Sequence, residues 1–406
     1  MSRTRRPPRK PRTALALAGG GPLGAIYEIG ALCALDEALP DLDFNAFDHY
    51  VGVSAGGFIV AGLANGLTPR RLCETFIEDR PTADGFDPAW LMTPAWQEFG
   101  NRLQRLPGLV ASTLWAWGAE GKSLGHAAER LGAALPTGLL DNEAIHRQIA
   151  RLFSQPGRSN DFRELRAQLT LVATELDTGD AAPFGRPGWD HVPISRAIQA
   201  SAALPGLFPP VSIDGKHYVD GALKKTLHAT VALDQGVDLL LCLNPLVPFH
   251  AEPPGAPGTA DRPRIPSLVE GGFPAVMSQT FRSMIHSRLE LGFKQYERSY
   301  PGTDFVLIEP DRRDAKLFLA NTFSYRQRRE MAEHAYQQTR RWLRHHQAAL
   351  QPRLDRHGIG MDEAALRDPH RYLIDLGPRR TPGPVERLHA TLDELQHRLY
   401  AMGGAA

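Results

Sequence analysis

DHYVGVSAGGFIVAGLANG, residues 48–66, is the stretch on which the fold turns. DHYVGV (48–53) is a short apolar run and reads as a buried strand. SAGG breaks it, and FIVAGLANG reads as an apolar helix ending near Gly66. Thirty-five residues upstream the same succession occurs. TALALA (13–18) reads as a strand, GGGPLG follows, and Ala25 to Leu39 reads as a helix stopped by Pro40. Two strand–glycine turn–helix units in tandem predict a parallel sheet covered by helices, because only a helical crossover returns the chain to start a second parallel strand.

Working outward, QLTLVATEL (168–176) predicts a strand and HVPISRAIQASAAL (191–204) a helix closed by Pro205-Gly206. Two short strands around Val211 and Tyr218 suggest a hairpin turning at Asp214-Gly215. VDLLLCLN (237–244) is a fully buried strand. Residues 248–266, rich in Pro and Gly, read as a loop. A helix over 275–298, a strand over 304–310 and a long helix over 325–346 complete the core. Residues 80–140 differ: Trp90, Trp96, Trp115 and Trp117 fall there among prolines and glycines, which suggests a helical insertion. The expected organisation is therefore a basic disordered tail over 1–12, one α/β domain over 13–345 carrying the insertion, and a helical tail over 346–406. The fold class is a three-layer α/β one: a mostly parallel central sheet flanked by helices. In the tail Val385, Leu388, Leu392, Leu395 and Leu399 recur at steps of 3 and 4, an apolar seam that fits either packing on the same chain or a homodimer contact.

The 406 residues, 42% hydrophobic and 22% charged, can bury a sizeable core. Net charge is +1, but the first twelve residues carry six bases and no acid. Such a short tail is expected to be disordered, with at most a weak touch to a polyanion, and no nucleic-acid partner is expected. The apolar run 13–18 is too short for a signal peptide, and no stretch is long enough to span a membrane. Cys33, Cys73 and Cys242 are scattered and fit buried free thiols better than a disulfide framework or a metal site. A cytoplasmic location, with peripheral membrane contact, is the expectation.

Three motifs carry chemistry. Gly52-Val53-Ser54-Ala55-Gly56 is a G-x-S-x-G pattern between a strand and a helix. A nucleophilic serine needs that context: the sharp turn exposes the hydroxyl at the strand end, and the helix N-terminus favours developing negative charge. The bland reading is a serine capping a buried helix. Gly19-Gly20-Gly21-Pro22-Leu23-Gly24 also fits G-x-G-x-x-G. A dinucleotide site would want an acid ending the next strand, but that strand ends in Ser54, and Asp41 and Asp43 precede it. The alternative is an oxyanion hole, in which glycine N–H groups converge on one oxygen. Neighbouring ends of parallel strands share an edge, which would set this loop near Ser54. Lastly, Asp220 and Gly221 in YVDGA (218–222) end a short strand. An aspartate there can point into a cleft, although most Asp-Gly pairs are plain turns.

Together these elements resemble the patatin-like phospholipase family: a glycine-rich loop, then G-x-S-x-G, then Asp-Gly-Ala far downstream, reached through SAALPGLFPPVSIDGKHYVDGA (201–222). The resemblance implies a lipid acyl hydrolase of the phospholipase A type, needing no metal or organic cofactor. Ser54 would be its nucleophile and Asp220 its base in a Ser–Asp dyad. Gly19, Gly20, Gly21 and Gly24 would form the oxyanion loop, with Gly52, Gly56 and Gly221 supporting the turns. Leu23 stands where the family often has a basic residue. A carboxylate is a weak base unless its surroundings raise its pKa, so a partly dehydrated site is expected.

Rival readings remain. A Ser–His–Asp triad would draw on His228, His250 or His286. An acyl-enzyme does not record its leaving group, so a thioesterase or protein deacylase is a near alternative. A lipid-binding module with a dead site is a more distant one. The tryptophan-rich insertion is either an interfacial lid or a packed core of its own.

Overall fold

In the computed structural model, which describes residues 11–78, 137–250, 268–320 and 327–376, the apolar runs become the middle of one eight-stranded sheet. Strands β1 (Thr13–Leu17), β2 (His49–Val53), β3 (Gln168–Glu175), β7 (Leu239–Leu243) and β8 (Asp304–Ile308) run parallel in the order β3-β2-β1-β7-β8. Their sequences are near-continuous apolar runs because helices cover both faces. All five residues of β7, Leu-Leu-Leu-Cys-Leu, are buried, and each leucine so placed contributes about 1.5–3 kcal/mol. The sheet is mixed rather than uniformly parallel: β4 (Ala181–Phe184), β5 (Val211–Ile213) and β6 (Lys216–Asp220) form an antiparallel flank.

The register on β3 matters most. Leu171 to Thr174 pair with β4 along one edge. The other edge is shared: β2 ends with Val53 opposite Val172, and β6 continues with Asp220 opposite Ala173. Two strands from distant parts of the chain therefore meet end to end on neighbouring residues of β3.

Ten helices are defined among the described residues: α1 (Gly21–Ala38), α2 (Ser54–Ala64), α3 (Pro69–Phe76), α4 (Glu143–Phe153), α5 (Ile194–Ser201), α6 (Thr230–Leu233), α7 (Gly272–Ser299), α8 (Ala315–Leu319), α9 (Arg328–Asp355) and α10 (Glu363–Arg367). Helix α1 is buried around most of its girth because it packs among α2, α3 and α9. A Cβ on Gly30 would sit 2.4 Å from the carbonyl oxygen of Ala332, so the two helices approach through a residue without a side chain. All three cysteines are buried and unpaired. No helix among the described residues is long and apolar enough to cross a membrane.

Several expected boundaries move. Helix α5 is shorter than 191–204, since Pro193 leads in and the chain turns at Ala202. Helix α9 carries ten residues beyond 345, so the expected start of the C-terminal tail falls inside a helix. Arg12 was expected in the loose tail but is fastened. Its N–H donates to Asp238 (2.7 Å) and its guanidinium to the Gln235 carbonyl (2.6 Å), which anchors the start of β1. The four tryptophans of the expected insertion, the seam from Val385 to Leu399 and the first ten residues lie outside the described residues. By contacts the chain divides into Met1–Leu373 and Ile374–Ala406; the second unit is described only as far as Leu376.

Candidate active site

Strand β2 leaves the sheet at Val53 in extended conformation, and Ser54 then takes φ +52°. A non-glycine residue there costs on the order of 1–3 kcal/mol and persists only when its surroundings hold it. Here they do. The Ser54 N–H donates to Ser201 Oγ at 2.8 Å, and that hydroxyl donates on to the Val172 carbonyl at 2.6 Å. On the other side the Gly56 N–H donates to the Ala18 carbonyl at 3.1 Å. The glycines of the motif are there for space. A Cβ on Gly52 would lie 2.4 Å from Gly57 Cα, and one on Gly56 would lie 2.3 Å from the Ala18 oxygen.

The glycine turn after β1 runs beside this serine. A Cβ on Gly19 would come within 2.9 Å of Ser54 Cβ and 3.6 Å of its Oγ. One on Gly20 would meet Gly24 Cα at 2.7 Å and Pro245 Cγ at 2.8 Å, and one on Gly24 would meet Pro245 Cγ at 3.1 Å. Gly21 opens α1 with φ +60°, a conformation that suits glycine. Among the described residues no main-chain carbonyl accepts from the amides of Gly19, Gly20 or Gly21, whereas the Gly24 N–H, expected in the same oxyanion loop, is taken by the Gly20 carbonyl at 3.0 Å as α1 begins. Pro22 has no N–H, and Leu23 is buried in the α1 core.

Asp220 ends β6 opposite Ala173, and the shared edge of β3 brings it to the end of β2. Its carboxylate neighbours the Ser54 side chain, which favours its ionised form, and its Oδ1 accepts the Ala222 N–H at 2.8 Å. The group is 3% exposed. Burial pushes its pKa up to about 6, against the opposing pull of the Ser54 and Ala222 hydrogen bonds. Val53, Val172 and Ala222 form the apolar wall around it, with Ile285 packed against them. Gly221 is again a matter of space: a Cβ would lie 2.1 Å from the Val172 oxygen.

Sequence reasoning missed Ser201. It reads as an ordinary helical serine, yet it joins the backbone of Ser54 to that of β3. Its only signal is its place at the head of the 201–222 segment. Among the described residues, none of the three histidines considered for a triad bonds the Ser54 or Asp220 side chain. His228 is buried, and its Nε2–H donates to the Gly221 carbonyl at 3.2 Å; burial lowers its pKa to about 4, so it is neutral at physiological pH. His286 faces Glu290 at 3.1 Å and Glu309 at 3.5 Å. The His250 N–H donates to the Arg312 carbonyl. Asp41 and Asp43 sit in the loop before β2, at the opposite end of the sheet from the glycine turn, where no ribose bound at that turn could reach them.

A family profile described as patatin-like phospholipase matches residues 15–233. Among solved structures, the chain is similar to VipD from Legionella pneumophila at 16% identity, covering 83% of this chain and 67% of that one, with a TM-score of 0.37. It is similar to full-length ExoU in complex with SpcU, from the type III secretion system of Pseudomonas aeruginosa, at 16% identity (71% and 53% covered, TM-score 0.26). A further structure of the type III effector protein ExoU matches at 15% identity (87% and 55% covered, TM-score 0.31). The chain thus spans about half the length of the ExoU chains it matches.

Proposed function

The chain belongs to the patatin-like phospholipase family, and from that premise we propose that it hydrolyses carboxylic esters of phospholipids or other acyl lipids with Ser54 as nucleophile and Asp220 as base. One observation carries the reading: a serine held at φ +52° within reach of a buried carboxylate whose pKa is raised to about 6. A carboxylate in water is too weak a base to share the proton of an alcohol. Raising its pKa toward the working pH strengthens it while leaving it ionised at neutrality.

Asp220 takes the hydroxyl proton as Ser54 Oγ bonds to the ester carbonyl carbon. The carbonyl electrons move onto oxygen, and the amides of Gly19, Gly20 and Gly21, which no main-chain carbonyl among the described residues occupies, would receive that charge. One such donor is typically worth about 3–4 kcal/mol in the transition state. Collapse breaks the bond to the alcohol, which leaves with the proton from Asp220, and an acyl-serine remains. Water then attacks, giving its proton to Asp220, and the fatty acid departs as the serine is restored. The neutral His228 acts as a prop: its bond to the Gly221 carbonyl holds the turn that bears Asp220.

Turnover of a short p-nitrophenyl ester by the wild type, Ser54→Ala and Asp220→Asn, with lipidomics of treated lipid extracts, tests this. Turnover is expected to vanish in Ser54→Ala. Wild-type turnover in a folded Ser54→Ala protein would sink the reading.

A further inference from the structure

Helix α7 carries two faces that fit different environments. At 100° per residue, Phe273, Val276, Phe281, Met284 and Leu291 fall within an arc of roughly 140°. All five are exposed, Phe273 at 76% and Leu291 at 66%. From Phe273 to Leu291 the stripe is about 27 Å long. Soluble chains seldom leave a contiguous apolar surface of this kind without a partner for it. The same arc holds the exposed cations Lys294 and Arg298, whereas Glu290 and Glu297 point off it and Arg288, at its border, turns toward the Leu223 carbonyl.

The opposite face of α7 grips both rims of the candidate active site. On one rim Gln279 bonds the N–H and the carbonyl of Phe249 (3.0 and 2.8 Å), and Arg282 donates to the Val247 carbonyl at 3.3 Å. This loop follows Pro245, which lies against Gly20 and Gly24. On the other rim Thr226 Oγ1 donates to the Ile285 carbonyl at 3.3 Å, and Arg288 donates to the Leu223 carbonyl at 2.8 Å. Both belong to the turn after Asp220, and the Ile285 side chain packs on the wall beside Ser54.

We infer that the exposed face of α7 docks on a phospholipid surface bearing anionic head groups and so brings the mouth of the Ser54 site down onto its substrate. The inference rests on the acyl-hydrolase reading for the choice of partner. Its physical content is that an apolar stripe with cations on the same arc matches a membrane boundary. The side chains of the stripe enter the acyl region while the cations meet the phosphates. A partner protein would be expected to offer acids for the two cations, and a second copy of this chain would set cation against cation.

The test is sedimentation of full-length chain with vesicles of phosphatidylcholine containing one part in four phosphatidylglycerol. The Ser54→Ala background keeps the lipid intact. Phe273→Ser with Met284→Ser is expected to weaken partitioning by about 100-fold or more. Lys294→Gln with Arg298→Gln is expected to weaken it by roughly tenfold, and only on vesicles holding the anionic lipid. In the Ser54-containing chain, the Phe273→Ser, Met284→Ser pair should hydrolyse a monomeric p-nitrophenyl ester at the wild-type rate, which certifies the fold. Unchanged vesicle binding in that pair would overturn the proposal, as would a dimer in lipid-free solution that the pair dissociates. Neither result would touch the Ser54 reading, which stands or falls on ester turnover alone.

Discussion

Two Asp-Gly pairs stand six residues apart on the hairpin of β5 and β6, and they share little beyond their letters. At Asp214-Gly215 both residues have positive φ, +51° and +77°, which matches the tight turn that joins twisted strands. The pair is exposed, no described atom crowds the glycine, and the Asp214 carboxylate bonds the exposed His191 at 2.8 Å. At Asp220-Gly221 the aspartate keeps φ −50° and is buried, and the glycine is pressed against the Val172 carbonyl. One glycine is chosen for conformation and the other for volume. A dipeptide signals a turn by its torsions, but it signals a site by what surrounds it.

The sharpest way to break this contrast is to neutralise each acid. Asp220→Asn should lower kcat/KM on an ester by about 10^2- to 10^4-fold, the usual contribution of a general base. Asp214→Asn should leave kcat/KM within about twofold. Equal effects would dissolve the distinction.

The glycines come next. Gly221→Ala forces a methyl to 2.1 Å from the Val172 oxygen. It should cost about 1–3 kcal/mol of stability and displace the base, so kcat falls in the protein that remains folded. Gly215→Ala should cost about 1 kcal/mol through its torsion, with unchanged activity per folded molecule. Denaturant melts paired with active-site titration separate the two.

Acidity sharpens the comparison further. With its pKa at about 6, Asp220 should make kcat/KM fall roughly tenfold per pH unit below 6. The stability sign follows from the same shift. The folded carboxyl holds its proton more tightly than the unfolded one, whose pKa is 3.8, so ionisation above pH 6 weakens the fold by about 3 kcal/mol. That burden fades as pH drops toward 4. Asp220→Asn should therefore raise Tm most above pH 6, and the advantage should shrink on acidification. His228 pulls the opposite way, because its depressed pKa means that acid disfavours the fold between pH 6.5 and 4. The difference between variant and wild type, rather than either curve alone, isolates Asp220.

A smaller effect is expected at Ser201→Ala, which strips an acceptor from Ser54 N–H and a donor from Val172: about 1–3 kcal/mol, with a modest loss of kcat. The smallest is His191→Ala, where an exposed pair vanishes and stability should stay within about 0.5 kcal/mol.

How far the sequence carries the reader depends on whether the information is local. Strands β1, β2, β3, β7 and β8 are legible because short apolar runs such as LLLCL, bounded by polar or glycine turns, suit strands buried on both faces. The Gly52 to Gly56 turn and the Gly19 to Gly24 loop are legible because their spacing is fixed by adjacent atoms. Strand β4, Ala-Ala-Pro-Phe, is not, since it lacks both length and β-branched residues. Nor is α4, whose apolar spacing over Glu143–Phe153 is regular but lies beside the tryptophan-rich stretch and carries no site motif. The meeting of Ser54 with Asp220 depends on two strands sharing one edge of β3, a pairing that joins positions far apart in the chain. Ser201 escapes for the same reason.

The buried thiols have a practical consequence. A hydrogen bond with Cys73, together with burial, raises the pKa of Cys33, burial raises that of Cys242, and Cys73 is fully enclosed. Alkylating dyes and spin labels, which need an accessible thiolate, find no ready target on the native chain. A cysteine introduced at exposed Ser278 or Ser287 of α7 is therefore a single addressable handle. Fluorescence from that handle can follow the helix in real time without first rebuilding the interior.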